Sequence, residues 1–331
     1  MSSGFNVNCY VYLYKGFAER LAEGVREMEV VVIGNMVKET IFYPDKTVGP
    51  VLGSPCAYTS LALARMGKKV GVVTYYGEDF KEEIDRELRL VDTAGCRKYH
   101  HTTENHLIYQ GEEKNRVEYF KVAPVIDCSL IPEEYLKAPV FFISPMHFEV
   151  DPDVCRMLKD RGKTVIVDLG GYGGTTSYNH FSVDTIRGQK LIDALCQCAA
   201  IIKASRDDLR YLMPDKSVEA CTSYLLARGA DCVAVTMGTE GAAYQKRGGD
   251  LKRFPCCRAE REEQKNLTGA GDVFAAGMIA ALCDDPSDMD YAVRYGNSAA
   301  SLVLDVKGGC VEKRMPTDGM IKIRMEGGRR R

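Results

Sequence analysis

Apolar and polar positions along this 331-residue chain fall into two rhythms. Short unbroken apolar runs, such as Val30-Val31-Val32-Ile33 ending at Gly34, read as strands buried on both faces. Similar runs occupy 70–75, 140–143, 164–168, 200–203 and 232–236. Between them, apolar residues recur at helical spacing over 57–66, 80–90, 153–161, 188–196, a short stretch near 207, 217–228, 273–282 and 289–303. Strand–helix alternation predicts a mainly parallel sheet covered on both faces, with ligands outside the carboxyl ends of its strands. Two stretches break the pattern. Residues 38–52 and 106–122 alternate apolar with polar positions, as strands with one wet face do.

Residues 1–27 are unlike the rest: an aromatic, patternless start is followed by a short amphipathic stretch over 17–28. They have neither the basic start nor the apolar core of a signal peptide, and read as an N-terminal extension before a domain at 28–314. Residues 315–331 read as a tail whose last three arginines fray into solvent. No repeat or low-complexity linker marks a second domain.

Composition narrows the function by exclusion. A net charge of −2 gives no general attraction to nucleic acid or to anionic membrane, and no apolar run approaches the ~20 residues that span a bilayer. The 13 cysteines are scattered in apolar contexts without a Cys-x-x-Cys pair, which suits buried thiols in a reducing cytoplasm. Five dispersed histidines make no zinc site, and Met237-Gly238-Thr239 lacks the serine of a hydrolase elbow.

The stretch Thr268-Gly269-Ala270-Gly271-Asp272 carries the chemistry. Small residues lead into an apolar helix with Asp272 in its first turn. The first-turn N–H groups and the helix dipole favour an anion there, and bare glycines let a phosphoryl group approach the main chain. A carboxylate beside that cradle can take a proton from a hydroxyl.

This stretch resembles the Gly-Ala-Gly-Asp signature of the ribokinase (PfkB) family of carbohydrate kinases, late in the chain and followed by a helix as in that family. The resemblance implies a ribokinase-like three-layer α/β/α fold, with the two alternating stretches forming a small β-sheet lid. It implies ATP-dependent phosphorylation of a small polyol (a sugar, cyclitol or nucleoside) with Asp272 as base, the turn Gly269, Ala270 and Gly271 as anion hole, and Mg²⁺ on the phosphates. Further matches imply nucleotide contacts at Thr236, Gly238 and Gly241 after a strand, at Thr268, and at Asn297 in a helix of small residues. Lys203-Ala204-Ser205-Arg206-Asp207-Asp208 resembles the segment that places a lysine on the phosphates, Ser205 where the family has Asn, and Asp208 where an acid positions Mg²⁺ through water.

On the acceptor side, Glu39 stands where members bind two substrate hydroxyls with Asp, and Gly53, Ser54 and Tyr58 stand where they carry Gly-Gly and Asn. These departures point to a divergent branch that includes inositol-kinase-like members. Asn266 replaces an Asp of the family's monovalent-cation loop, which argues against potassium activation. The Gly-rich run 168–174 replaces another family segment and reads as a mobile loop, a phosphate nest or a plain loop. Two rivals remain: a kinase of an already phosphorylated sugar using Lys38 or Arg97, and a catalytically dead sugar-binding relative. A homodimer through an exposed lid edge is also expected.

Overall fold

Val30–Ile33 forms β1, every residue fully buried, and its alternation divides the core. Val30 and Val32 pack into one apolar cluster and Val31 and Ile33 into another, on opposite faces of the same sheet. The computed structural model describes residues 27–110, 113–177, 181–257, 268–306 and 308–327. The N-terminal extension, Asn266 and the arginine tail lie outside the described residues.

Going along the chain, β2 (Val37–Phe42) and β3 (Thr47–Gly53) precede α1 (Pro55–Arg65), β4 (Val70–Gly77), α2 (Lys81–Glu87) and β5 (Asp92–Tyr99). Then come β6 (Thr103–Gln110), β7 (Glu113–Lys121), β8 (Val140–Ile143), α3 (Pro152–Asp160), β9 (Thr164–Asp168), α4 (Phe181–Cys198), β10 (Ile201–Ser205), α5 (Arg206–Leu212) and α6 (Val218–Ala227). The C-terminal third holds β11 (Cys232–Thr236), β12 (Ala242–Lys246), β13 (Lys252–Phe254), α7 (Ala270–Asp284), α8 (Met289–Leu304) and α9 (Asp318–Gly327).

Among the described residues, nine strands form the main sheet in the order β13-β12-β11-β10-β9-β8-β1-β4-β5. Pairing is parallel from β11 to β5 and antiparallel at β12 and β13. Residues of α1, α7 and α8 cover one face, and those of α3, α4 and α6 the other, giving the expected three-layer α/β/α arrangement. No described helix is long and apolar enough to cross a membrane.

The two alternating stretches pair with each other as a four-stranded sheet, β3-β2-β6-β7. Val37, Ile41, Leu107, Tyr109 and Val117 cluster with Met146 beneath it. Phe120, in the edge strand β7, remains 55% exposed.

Three strands escape the apolar-run reading. β5 is polar along most of its length, and β12 and β13 are short strands that pair antiparallel at the other end of the sheet, with β13 at its edge. The segment expected as a tail contains α9, which docks Ile321 into the core. Its Asp318 accepts from the Tyr295 hydroxyl at 2.9 Å, and Arg324 donates to Ser301 and Asp305. Helix α4 begins at Phe181, earlier than its apolar spacing suggests.

Candidate active site

Parallel strands β9, β10 and β11 bring their carboxyl ends side by side, and the register places Lys203 opposite Asp168. Lys203 Nζ donates to Asp168 Oδ2 at 2.7 Å, with both side chains almost completely buried. Burial pushes the lysine ammonium down. The carboxylates of Asp168, Asp272 and Asp208 more than reverse that and raise it to about 12. Burial also pushes the Asp168 carboxyl up, against the pull of Lys203.

Helix α7 ends this row. Gly269 caps it in the left-handed region, at φ +83°, and the first helical bond runs from Val273 N to Gly269 O at 2.9 Å. The N–H groups of Ala270, Gly271 and Asp272 precede that bond and belong to the helix's positive end. Lys203 Nζ lies 3.4 Å from where a Gly271 side chain would begin, so the ammonium and the turn face one another. Asp272 therefore sits beside a buried cation and main-chain donors. Thr59 donates to the Asp272 carbonyl from α1 at 3.3 Å.

Gly269 has no room for a side chain, because a Cβ there would stand 2.4 Å from the Tyr58 ring. Tyr58 is 1% exposed and forms the wall behind the turn, so its side chain supports the turn from within. Ser54, 3% exposed, accepts from Ala57 N at 3.1 Å and caps α1. Gly53 accommodates Glu39: a Cβ there would lie 2.7 Å from the Glu39 carboxyl. Glu39 is buried beneath the lid and stands in register with buried Asn105 of β6.

Asp208 is more heavily engaged than its expected role requires. Its Oδ2 accepts from Ser205 N at 2.7 Å while Ser205 Oγ accepts from Asp208 N, a reciprocal cap on α5. Its Oδ1 accepts from Thr175 N and Thr175 Oγ1, both at 2.8 Å. Gly174 passes so close that a Cβ would lie 2.5 Å from this oxygen. The Gly-rich run is thus wrapped around two buried carboxylates, since Asp168 Oδ1 also accepts from Gly170 N at 2.9 Å. Among the described residues no group of three metal-ligating side chains converges.

Thr236 closes β11, and Gly238 and Gly241 follow at positive φ, 60° and 92°. Gly241 lies against the main chain of β13, where a Cβ would meet Phe254 O at 2.1 Å. Asn297 Nδ2 donates to Pro255 O at 3.1 Å and Phe254 O at 3.4 Å, tying α8 to the end of that strand. Glycine turns and Asn297 therefore meet around β13, while Lys203, Asp208 and Asp272 gather at β9 and β10. Lys38 alternates to the lid face opposite Glu39, and Arg97 is exposed on the edge strand β5.

Sequence reasoning missed the lid tyrosines. Tyr109 Oη lies 2.8 Å from Thr268 Oγ1 and Tyr43 Oη 3.5 Å from it, with the two rings stacked at 5.1 Å. Alternation placed Tyr109 on a strand, and only the tertiary fold brings it to the turn. Arg314 was missed too, being one basic residue in a basic, irregular stretch. It is 2% exposed, and its Nη2 donates to Thr268 O at 2.8 Å. Glu149 accepts from the N–H groups of Asn35, Met146 and His147 and braces the loops after β1 and β8.

Comparison with known proteins agrees with this architecture. The model of the pfkB family carbohydrate kinases matches residues 56–317. Cytidine kinase of Thermococcus kodakarensis is 29% identical over 281 residues, 84% of this chain and 96% of that protein. 2-Dehydro-3-deoxygluconokinase of Bacillus subtilis is 26% identical over 263 residues, covering 74% of this chain and 78% of its own. Among solved structures, Arabidopsis thaliana ribokinase complexed with ribose and ATP has a TM-score of 0.70 at 19% identity, over 91% of this chain and 99% of that one. The chain belongs to the pfkB family of carbohydrate kinases.

Proposed function

We propose that this kinase transfers the terminal phosphoryl group of ATP to a hydroxyl of a sugar or nucleoside. The observation that carries this reading is Asp272 in the first turn of α7, beside the buried Lys203 ammonium and beneath a lid that reaches Thr268. The Asp272 carboxylate takes the proton of the acceptor hydroxyl. The freed oxygen attacks the γ-phosphorus, the bond to the β–γ bridging oxygen breaks, and ADP leaves with that electron pair. Main-chain N–H groups of Ala270, Gly271 and Asp272 receive the charge on the transferring group, helped by the helix dipole.

Lys203 places a fixed positive charge along the phosphate path, and Thr236, Gly238 and Gly241 shape the nucleotide turn. Asp208 has its carboxylate anchored by three hydrogen bonds, which suits holding Mg²⁺ through water better than direct ligation. The ion, when bound, would offset phosphate charge. On the acceptor side, Glu39 and Asn105 lie side by side in register, a carboxylate and an amide suited to neighbouring hydroxyls. The ribose of the Arabidopsis complex and the cytidine named for the Thermococcus relative both present such a pair. Neither Lys38 nor Arg97 shares the Glu39 face, which disfavours an already phosphorylated acceptor.

Exposed Phe120 on the edge strand of the lid supports a homodimer through that sheet, which light scattering of wild type and Phe120→Glu would test. The described cysteines, all free thiols, suit a reducing cytoplasm. The deciding experiment measures ADP release from ATP and Mg²⁺ with a panel of pentoses, hexoses, inositols and nucleosides. Release dependent on one acceptor class supports the reading. Binding of acceptor without ADP release would instead favour a dead relative.

A further inference from the structure

Arg314 lies in the short turn after α8, yet its guanidinium is directed at the phosphoryl-transfer turn from behind. Nε donates to Val306 O at 2.6 Å, and Nη1 to Gly308 O at 2.7 Å, Gly309 O at 3.2 Å and Tyr58 Oη at 3.2 Å. Nη2 donates to Thr268 O at 2.8 Å. Four main-chain carbonyls from two distant segments thus converge on one buried cation. Surface arginines seldom collect carbonyl oxygens in this way, because burying a guanidinium is costly unless its donors are satisfied.

The Thr268 carbonyl begins the peptide that leads into Gly269, whose left-handed conformation aims the first-turn N–H groups of α7. Tyr58, held by Nη1, is the wall against which Gly269 rests. Arg314 therefore fixes both the carbonyl side and the packing side of the same turn. Converging carbonyl oxygens are also the setting in which proteins hold a dehydrated alkali cation. Here a covalently attached cation occupies that setting, and a planar guanidinium keeps its charge when buried.

We propose that Arg314 is a positioning residue for the anion turn and serves as its built-in monovalent cation, so that phosphoryl transfer needs no potassium or sodium ion. This rests on the kinase reading above. Turnover is measured for wild type, Arg314→Lys and Arg314→Ala in potassium, sodium and tetramethylammonium chloride at equal ionic strength. Wild type is expected to vary less than about twofold among the salts. Arg314→Ala should lose on the order of 100-fold in kcat, as when one oxyanion donor is removed, with acceptor KM within a few-fold. Potassium or millimolar guanidinium should restore at least tenfold of that loss, and tetramethylammonium should not.

A wild-type enzyme that drops tenfold or more when potassium is replaced by tetramethylammonium would overturn the proposal. So would near-wild-type kcat in a folded Arg314→Ala, or a loss that neither potassium nor guanidinium relieves. If Arg314→Ala does not fold, Arg314→Lys is read by the same criteria, and if neither folds the salt response of wild type decides alone. Thermal unfolding in the same salts separates this from failure of the kinase reading, since it needs no turnover. Potassium should raise the Tm of Arg314→Ala relative to tetramethylammonium and leave wild type unmoved; a wild-type Tm that needs potassium counts against the proposal.

Discussion

Tyr109 Oη lies 2.8 Å from Thr268 Oγ1, joining the underside of the four-stranded sheet to the turn that leads into α7. Burial pushes the Tyr109 phenol up, so the hydroxyl stays protonated at any working pH. A neutral buried hydrogen bond contributes about 1 kcal/mol, which is about fivefold in a closing equilibrium. Tyr109→Phe is therefore expected to raise the acceptor KM about fivefold with a smaller change in kcat. Steady-state kinetics with unchanged KM would separate the lid contact from the reaction cycle.

Asp272→Asn keeps the shape of the first turn of α7 and removes the carboxylate proposed above as the proton acceptor. General-base catalysis contributes about 10²–10⁴-fold, and a loss of that size in kcat is expected. Nucleotide affinity, followed by calorimetry, should change far less. Retention of more than a tenth of the wild-type rate would assign the proton to another group.

The two glycines of the turn should respond differently to the same substitution. Gly269→Ala puts a Cβ in the left-handed region and 2.4 Å from the Tyr58 ring. The backbone penalty alone is about 1–2 kcal/mol, and the overlap adds to it. Denaturant unfolding should show a loss of at least about 2 kcal/mol, since overpacking by itself costs about 1–3 kcal/mol. Gly271→Ala meets nothing closer than Lys203 Nζ at 3.4 Å, so its stability should match or slightly exceed wild type while turnover falls. Equal destabilisation by both would show that the turn packs differently.

Lys203 and Asp168 form a buried pair, so removing one partner leaves the other charge uncompensated. Lys203→Met should cost about 3–5 kcal/mol, and Lys203→Met with Asp168→Leu should recover much of it. The pH dependence follows from the raised lysine. Its folded value of about 12 lies above the unfolded 10.5, so its contribution is full below pH 10.5 and is lost as pH rises through about 12. Alkaline unfolding midpoints should therefore be steeper in wild type than in the double variant.

Thiol chemistry tests the core. Burial pushes Cys96, Cys196, Cys232 and Cys283 up to about 12. Each of these thiols stays neutral in the folded protein at pH 8 and should resist iodoacetamide. Mass spectrometry is expected to find them alkylated only after denaturation. Rapid native labelling of Cys232 would mean that β11 opens readily.

The sequence revealed the parts of this molecule governed by local rules. The fully buried β1 and the apolar α7 announce themselves because burial on all sides removes polar residues from a run. Asp272 was legible because a glycine turn, an acid and an apolar helix follow one another directly. Strand β5 was hidden, since an edge strand keeps polar side chains, and α9 was hidden because only Ile321 in it is buried. Tyr109, Arg314 and Glu149 act at sites 159, 46 and 114 residues away in sequence. No local pattern encodes such distances. Tyr58 and Ser54 stand at family positions, and the wall and cap contacts they make leave the same sequence trace as ligand contacts would.

Gly277 of α7 and Gly296 of α8 touch without side chains between them: a Cβ on Gly277 would meet Gly296 Cα at 2.9 Å. Helix α7, which carries Asp272, and helix α8, which carries Asn297, consequently meet backbone against backbone at this crossing. A side chain at either glycine would wedge the two helices apart and shift Asp272 relative to Asn297.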